Sequence, residues 1–166
     1  MRPASPAFDV DRFKIGQDRD GSFEAAITEL RAGRKTTHWI WWVFPQIAGL
    51  GSSGTSVRYA LAGREEACAY LADDLLRSRL VEAVTAVHEQ LVGPRRRQID
   101  RLMGSEIDAL KLVSSMTLFA EVAKDASVRG LPDVNMLQAM AVEILDVARG
   151  AGYSACEHTL KVLRSA

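Results

Sequence analysis

Lys35-Thr36-Thr37-His38-Trp39-Ile40-Trp41-Trp42-Val43-Phe44-Pro45-Gln46 holds all three tryptophans of the 166-residue chain within four positions. At 100° per residue the rings at 39, 41, 42 and 44 spread around a helix, and at period two they divide between both faces of a strand. No one-sided burial hides them all. Either the segment is sandwiched inside the core, or some rings line a pocket beside Lys35 and His38. Burying one ring of this size removes about 150–250 Å² from water, which at about 25 cal/mol per Å² is roughly 4–6 kcal/mol before entropy is subtracted. Set against a net stability of about 5–15 kcal/mol, that makes this stretch the hub the other elements must cover.

Working outward, the pattern is helical. Upstream, Phe23, Ala26, Ile27 and Leu30 follow the spacing of an amphipathic helix from Ser22, and Gly33 stands where a C-terminal glycine belongs. Downstream, Gly49-Leu50-Gly51-Ser52-Ser53-Gly54 reads as a flexible loop, after which Val57, Ala60 and Leu61 begin another stripe that Gly63 divides from Glu65–Leu71. Leu76, Leu80, Val84, Val87 and Leu91 recur at helical spacing until Gly93-Pro94 stops them. Ser105 and Asp108 have the form of a capping box opening a helix with Ile107, Leu110, Ser114 and Leu118 on its stripe. Pro132-Asp133 opens a further helix that Gly150 closes, and the last turns run from Glu157 to Leu163. No alternating strand ladder, fixed repeat or low-complexity linker interrupts this. The expectation is an all-α, compact, single-domain multihelical bundle over residues 8–166, preceded by a disordered N-terminus at 1–7, where two prolines fall in the first six positions.

Composition narrows function. Lysine and arginine number 21, aspartate and glutamate 21, so the net charge is zero and the field that steers proteins to nucleic acid or anionic membranes is missing. Broad nucleic-acid binding is disfavoured. The strongest apolar run, Trp39–Phe44, falls far short of the roughly 20 residues of a membrane span. Cys68 and Cys156 have no paired spacing and read as free thiols in a cytoplasmic protein.

Gly33 through Gln46, followed by Gly49-Leu50-Gly51 and Arg58-Tyr59-Ala60, resembles the bacterial domain-of-unknown-function family 1810, loosely called calpastatin-like. Glu66-Ala67 with Tyr70-Leu71, and Asp108 with Lys111 and Ser114 through Phe119, are similar to that family as well, and the likeness spans roughly Phe8 to Leu163. It implies a compact multihelical fold and a cytosolic bacterial protein, without implying an activity. The sequence departs from the family pattern at Arg77, where a glycine is expected, at Leu102-Met103-Gly104 in place of Ile-Phe-Gly, and at Cys156 in place of an aspartate.

Several residue groups bear chemistry. Gly49, Gly51 and Gly54 match the spacing of a dinucleotide fingerprint, but that fingerprint needs a strand and a βαβ unit that a helical chain lacks. The same loop, with Ser53 and with Arg58 one turn in, can still form an anion-binding nest, or be a bare turn. Asp108, Lys111 and Ser115 share a helix face as carboxylate, ammonium and hydroxyl, either positioning a polar ligand or merely capping and filling helix contacts. His38 has the intrinsic pKa for acid–base work, with Lys35 one turn away if the segment is helical. Cys156 and His158 supply too few ligands for a metal site, and no cofactor is implied.

These groups define a pocket reading. Lys35, His38 and Asp108 are the candidate catalytic residues, and Trp41, Gln46, Gly49, Gly51, Ser53, Arg58, Lys111 and Ser115 the candidate ligand-binding residues, for a nucleotide-like or phosphorylated ligand that is either only bound or bound and hydrolysed at a glycosidic or phosphate bond. A fainter similarity of layout to N-glycosidase-type proteins points to ADP-ribose-related compounds. The rival is a non-catalytic interaction module in which Trp41 and Trp42 join Arg95, Arg96 and Arg97 as a protein-binding hot spot. Trp41, Trp42 and Phe44 lining a concavity with Lys35 and Asp108 pointing in would favour the ligand, the same rings on a convex patch would favour the protein, and burial of them all with the polar residues only capping helices would favour neither.

Overall fold

The structure, a computed structural model, describes residues 7–165. The expected loose start at 1–7 lies, apart from Ala7, outside the described residues. Helices follow one another as α1 (Asp11–Asp18), α2 (Ser22–Ala32), α3 (Ile40–Val43), α4 (Gly54–Arg58), α5 (Arg64–Ala72), α6 (Asp74–Leu91), α7 (Ile99–Met103), α8 (Glu106–Val122), α9 (Val134–Gly150) and α10 (Glu157–Arg164). The fold is all-α. Extended pairing among the described residues is confined to one parallel bridge between Ile47 and Leu61. None of the described helices is long and apolar enough to cross a membrane.

The core forms around α8, which is buried on almost every side because Leu112, Val113, Met116, Phe119 and Ala120 outrun any single stripe. Helices α9, α7, α10, α5 and α3 surround it, while α6 packs between α2 and α9. His88 joins α6 to α9 through Glu143 at 2.7 Å. Arg77, at the family's glycine position, is buried and donates to the Leu71 carbonyl at 2.9 Å and to Asp74 at 2.6 Å.

The aromatic segment divides its rings, as its geometry requires. Only Ile40–Val43 is helical. Trp39 and Phe44 are buried in the core, whereas Trp41 and Trp42 are half-buried, their ring centroids 6.4 Å apart. The non-helical approach to them is held by Glu29 of α2, which accepts from the Thr36 and Thr37 amides at 2.8 and 3.1 Å, from the Thr37 hydroxyl at 2.5 Å and from the Trp39 indole at 2.8 Å. Burial alone would raise the Glu29 pKa, but these donors outweigh it and bring it from an ordinary 4.5 down to about 2.

That depression fixes a pH dependence. The unfolded carboxylate binds its proton at higher pH than the folded one, so the stability Glu29 contributes is complete above pH 4.5 and fades as pH falls toward 2. Urea unfolding across this window should show Glu29→Gln less stable than wild type at neutral pH, with the gap closing by pH 2. A gap that stayed constant would mean that the carboxylate charge plays no part.

Three local expectations are corrected. Val57, Ala60 and Leu61 do not share a helix face: α4 ends at Arg58, Val57 is exposed, and Leu61 is buried through the bridge to Ile47. Ile107 and Leu110 face outward, because Ala109, Leu112 and Val113 supply the buried side of α8. The capping box is half made. Ser105 accepts from the Asp108 amide at 3.1 Å, but the Asp108 carboxylate turns away to two lysines.

Candidate functional site

After α3 the chain runs from Pro45 to Gly51 beside residues 60–61, with the Leu61 amide donating to the Gln46 carbonyl at 2.9 Å and the Ala48 amide to the Leu61 carbonyl at 2.8 Å. Arg12 of α1 ties down the returning segment. Its guanidinium donates to the carbonyls of Arg58 and Ala60, both at 2.8 Å, and pairs with buried Glu66 at 2.7 Å, while Glu66 accepts from the Ala62 amide at 2.6 Å. From α10, His158 Nε2 lies 2.8 Å from the Ala48 carbonyl. Gly49 (φ 98°) has to be glycine here, since a Cβ would stand 2.8 Å from that imidazole nitrogen.

This braced loop forms one wall of a cleft of about 300 Å³, and Ile107, Leu110, Lys111 and Ser114 of α8 form the other. Trp41 and Gln46 complete it. The volume sits at the small end of ligand pockets, which run from about 300 to 1,000 Å³. Its mouth is apolar. Leu50, Val57, Ile107 and Leu110 line the cleft while remaining 40–67% exposed, an arrangement that leaves unburied area around a concavity.

The charge is one ladder. Buried Lys35 reaches Asp108 at 2.7 Å and donates to the Thr37 carbonyl at 2.7 Å; Asp108 then meets Lys111 at 3.1 Å, and the Lys111 ammonium stands 4.4 Å from the Trp41 ring centroid. Burial pushes the Asp108 carboxyl up, but hydrogen bonds from Lys35 and Lys111 outweigh it and hold the pKa below its ordinary value. Only Lys111 of this ladder lines the cleft. The Asp108 carboxylate is thus held ionised behind it.

Of the residues singled out in the sequence, Trp41, Gln46, Gly49, Gly51 and Lys111 come together here, with Lys35 and Asp108 immediately behind. Four others lie elsewhere. His38 is exposed beside Trp42, Gly16 and Arg19, because residues 34–39 are not helical and the one-turn relation to Lys35 does not arise. Ser53 caps α4 by accepting from the Ser56 amide at 3.1 Å, leaving Ser56 to line the cleft. Arg58 lays its exposed guanidinium 5.7 Å from the Tyr59 ring. Ser115 is fully buried with its hydroxyl unpartnered, and Ser114, one position back on α8, takes its place in the wall.

Ser114 also approaches a thiol. Cys156 precedes α10 and stands at its N-terminus, where burial raises the thiol pKa but the Ser114 and Thr159 hydroxyls and the His158 and Thr159 amides lower it further, leaving it below the ordinary value.

Comparison places the chain among known proteins. Residues 7–135 match the family described as protein of unknown function (DUF1810). The chain belongs to this family. Every residue lining the cleft, from Trp41 to Ser114, falls inside the DUF1810 span. Over a longer stretch it is similar to the crystal structure of the conserved hypothetical protein Rv1873 from Mycobacterium tuberculosis, at 38% identity and a TM-score of 0.76, covering 95% of this chain and 97% of that one. No curated protein matches. The DUF1810 description carries no support for the calpastatin-like label.

Proposed function

We propose that the cleft between the Gly49–Gly51 loop and α8 binds a nucleotide-like or ADP-ribose-related small molecule, and that it binds rather than hydrolyses it. One observation carries the reading: four exposed apolar side chains, an aromatic ring and a lysine converge on a single concavity braced from α1 and α10. A flat, largely apolar body fits against Ile107, Leu110 and the Trp41 indole, and an anionic group fits at Lys111. Hydrolysis lacks its parts. Among the described residues, no histidine or carboxylate lines the wall, and Asp108, kept ionised by two lysines, is a weak base. The rival protein-binding reading needs Trp41 and Trp42 on one convex patch, but the two rings, 6.4 Å apart, are both half-buried, Trp41 in the cleft and Trp42 against Gly16 of α1 with its indole donating to Ser22 of α2 at 2.8 Å. A single helical domain in a bacterial cytoplasm is the setting, supported by two free cysteines.

A thermal-shift screen of nucleoside monophosphates and ADP-ribose analogues tests this. Wild type should melt higher with at least one of them, and Lys111→Gln should weaken that ligand about tenfold by removing a charged hydrogen-bond donor. Ile107→Asn, on the exposed rim, should weaken it without lowering the ligand-free melting point. A wild-type melting point unmoved by every compound at millimolar concentration overturns the reading.

A further inference from the structure

Away from the cleft, the C-terminal ends of α2 and α6 meet α7. The Gln90 side chain donates to the Arg31 carbonyl at 3.0 Å, the Arg97 amide donates to the Gln90 carbonyl at 2.8 Å, and the Lys35 amide donates to the Leu102 carbonyl at 2.7 Å. These bonds bring together arginines that are distant in sequence. Arg34, Arg97 and Arg101 line a concavity of about 370 Å³ with Asp100 and two glycines. An adjoining concavity of about 380 Å³ shares Arg97 and Arg101 and adds Arg95. Among the described residues, none of these four guanidiniums pairs with a carboxylate. The one carboxylate in the wall, Asp100, accepts from the Arg101 amide at 3.0 Å.

The arrangement is built at its centre. Arg97 Nε donates to Gln90 Oε1 at 3.2 Å, and its guanidinium lies so close over Gly33 (φ 88°) that a Cβ there would stand 2.5 Å away. One edge of the fork is therefore fixed by the protein, leaving the remaining N–H groups for something else. Helix ends explain part of this, since cations near the C-termini of α2 and α6 offset the helix dipoles. That accounts for one cation per helix, not for four unpaired guanidiniums around two joined hollows in a chain of zero net charge.

We propose that these concavities form a binding site for a compact polyphosphate, in which Arg97 and Arg101, common to both hollows, bridge successive phosphoryl groups and Arg34 and Arg95 close the ends. Planar guanidinium forks match phosphate oxygens two at a time. A polymer is disfavoured, because four cations confined to one end of a neutral molecule do not make the extended basic track that nucleic acid needs.

Calorimetric titration with inorganic tripolyphosphate at low ionic strength is the test, with ATP and a single-stranded RNA oligonucleotide as parallel arms. Tripolyphosphate should bind, more weakly as salt rises, and the exposed-residue variant Arg101→Gln should weaken it at least about tenfold. Arg101→Lys, which keeps the charge and loses the fork, should also weaken it several-fold. Lys111→Gln should leave tripolyphosphate binding unchanged, which separates this site from the cleft. Equal affinity for ATP and tripolyphosphate identifies the phosphate chain as the whole determinant, and tighter ATP binding that Arg101→Gln abolishes identifies a nucleotide as its source. The proposal falls if tripolyphosphate does not bind, if the folded Arg101→Gln and Arg34→Gln variants bind it as wild type does, or if RNA binds more tightly than either compact anion.

Discussion

Trp39→Ala should destabilise the fold by about 3–5 kcal/mol, the range for truncating a buried large aromatic. With a melting point that moves about 2–4 °C per kcal/mol in a chain of this size, the loss is roughly 10 °C. The indole is 1% exposed, its ring lies 6.0 Å from that of Phe44 and 5.1 Å from the Lys35 ammonium, and its N–H completes the set of donors on Glu29. Truncation therefore opens a cavity and loosens the segment that carries Lys35. The neighbouring tryptophans set the control. Trp42→Ala should cost less, since Trp42 is half-buried, and Trp41→Ala least, since that ring faces the cleft. Urea unfolding of the three variants measures the order. If Trp41→Ala proved as damaging as Trp39→Ala, the division of rings between core and cleft would be wrong.

That division marks how far the sequence could be read. Periodicity located α2, α6, α8 and α9 because each carries an apolar stripe that the helical repeat exposes. It also required the rings of residues 39–44 to separate, without saying which went where, since that depends on Glu29, a side chain ten positions upstream with no periodic signal. The cleft was half legible. Lys111, Trp41 and the glycine loop stood out by residue type, but Ile107, Leu110 and Val57 read as core, and only the assembled fold leaves them outside. One signal was available: α8 is apolar around more of its circumference than one core-facing stripe needs. Ser114 and Ser115 differ by one step of 100°, and composition cannot choose between them. The arginine hollows join arginines from 34 to 101, a meeting created by the α2–α6 contact together with the backbone bond from Lys35 to Leu102 of α7.

Removing either end of the Lys35–Asp108 pair should have unequal consequences. Lys35 is nearly enclosed, its side chain 5% exposed, and without Asp108 it keeps only the Thr37 carbonyl and the Trp39 face. Asp108→Ala strands that buried charge and should cost about 3–5 kcal/mol. Lys35→Met should cost clearly less, since Asp108 is still met by Lys111 at 3.1 Å. The double variant Lys35→Met/Asp108→Ala should recover part of the loss, giving a double-mutant coupling of about 1–3 kcal/mol. Acid should reproduce the effect. Because the folded Asp108 pKa lies below its ordinary value, the stability it contributes is complete above the unfolded carboxylate pKa and is lost as pH falls through the folded one. The same pair reaches the cleft. Asp108 competes with any ligand anion for Lys111, so Asp108→Asn should weaken the fold yet tighten binding of an anionic ligand in the cleft. Equal stability losses for Asp108→Ala and Lys35→Met would show that the charge on Lys35 does not depend on Asp108. Weaker anion binding by a folded Asp108→Asn would place the carboxylate among the groups that hold the ligand instead of behind them.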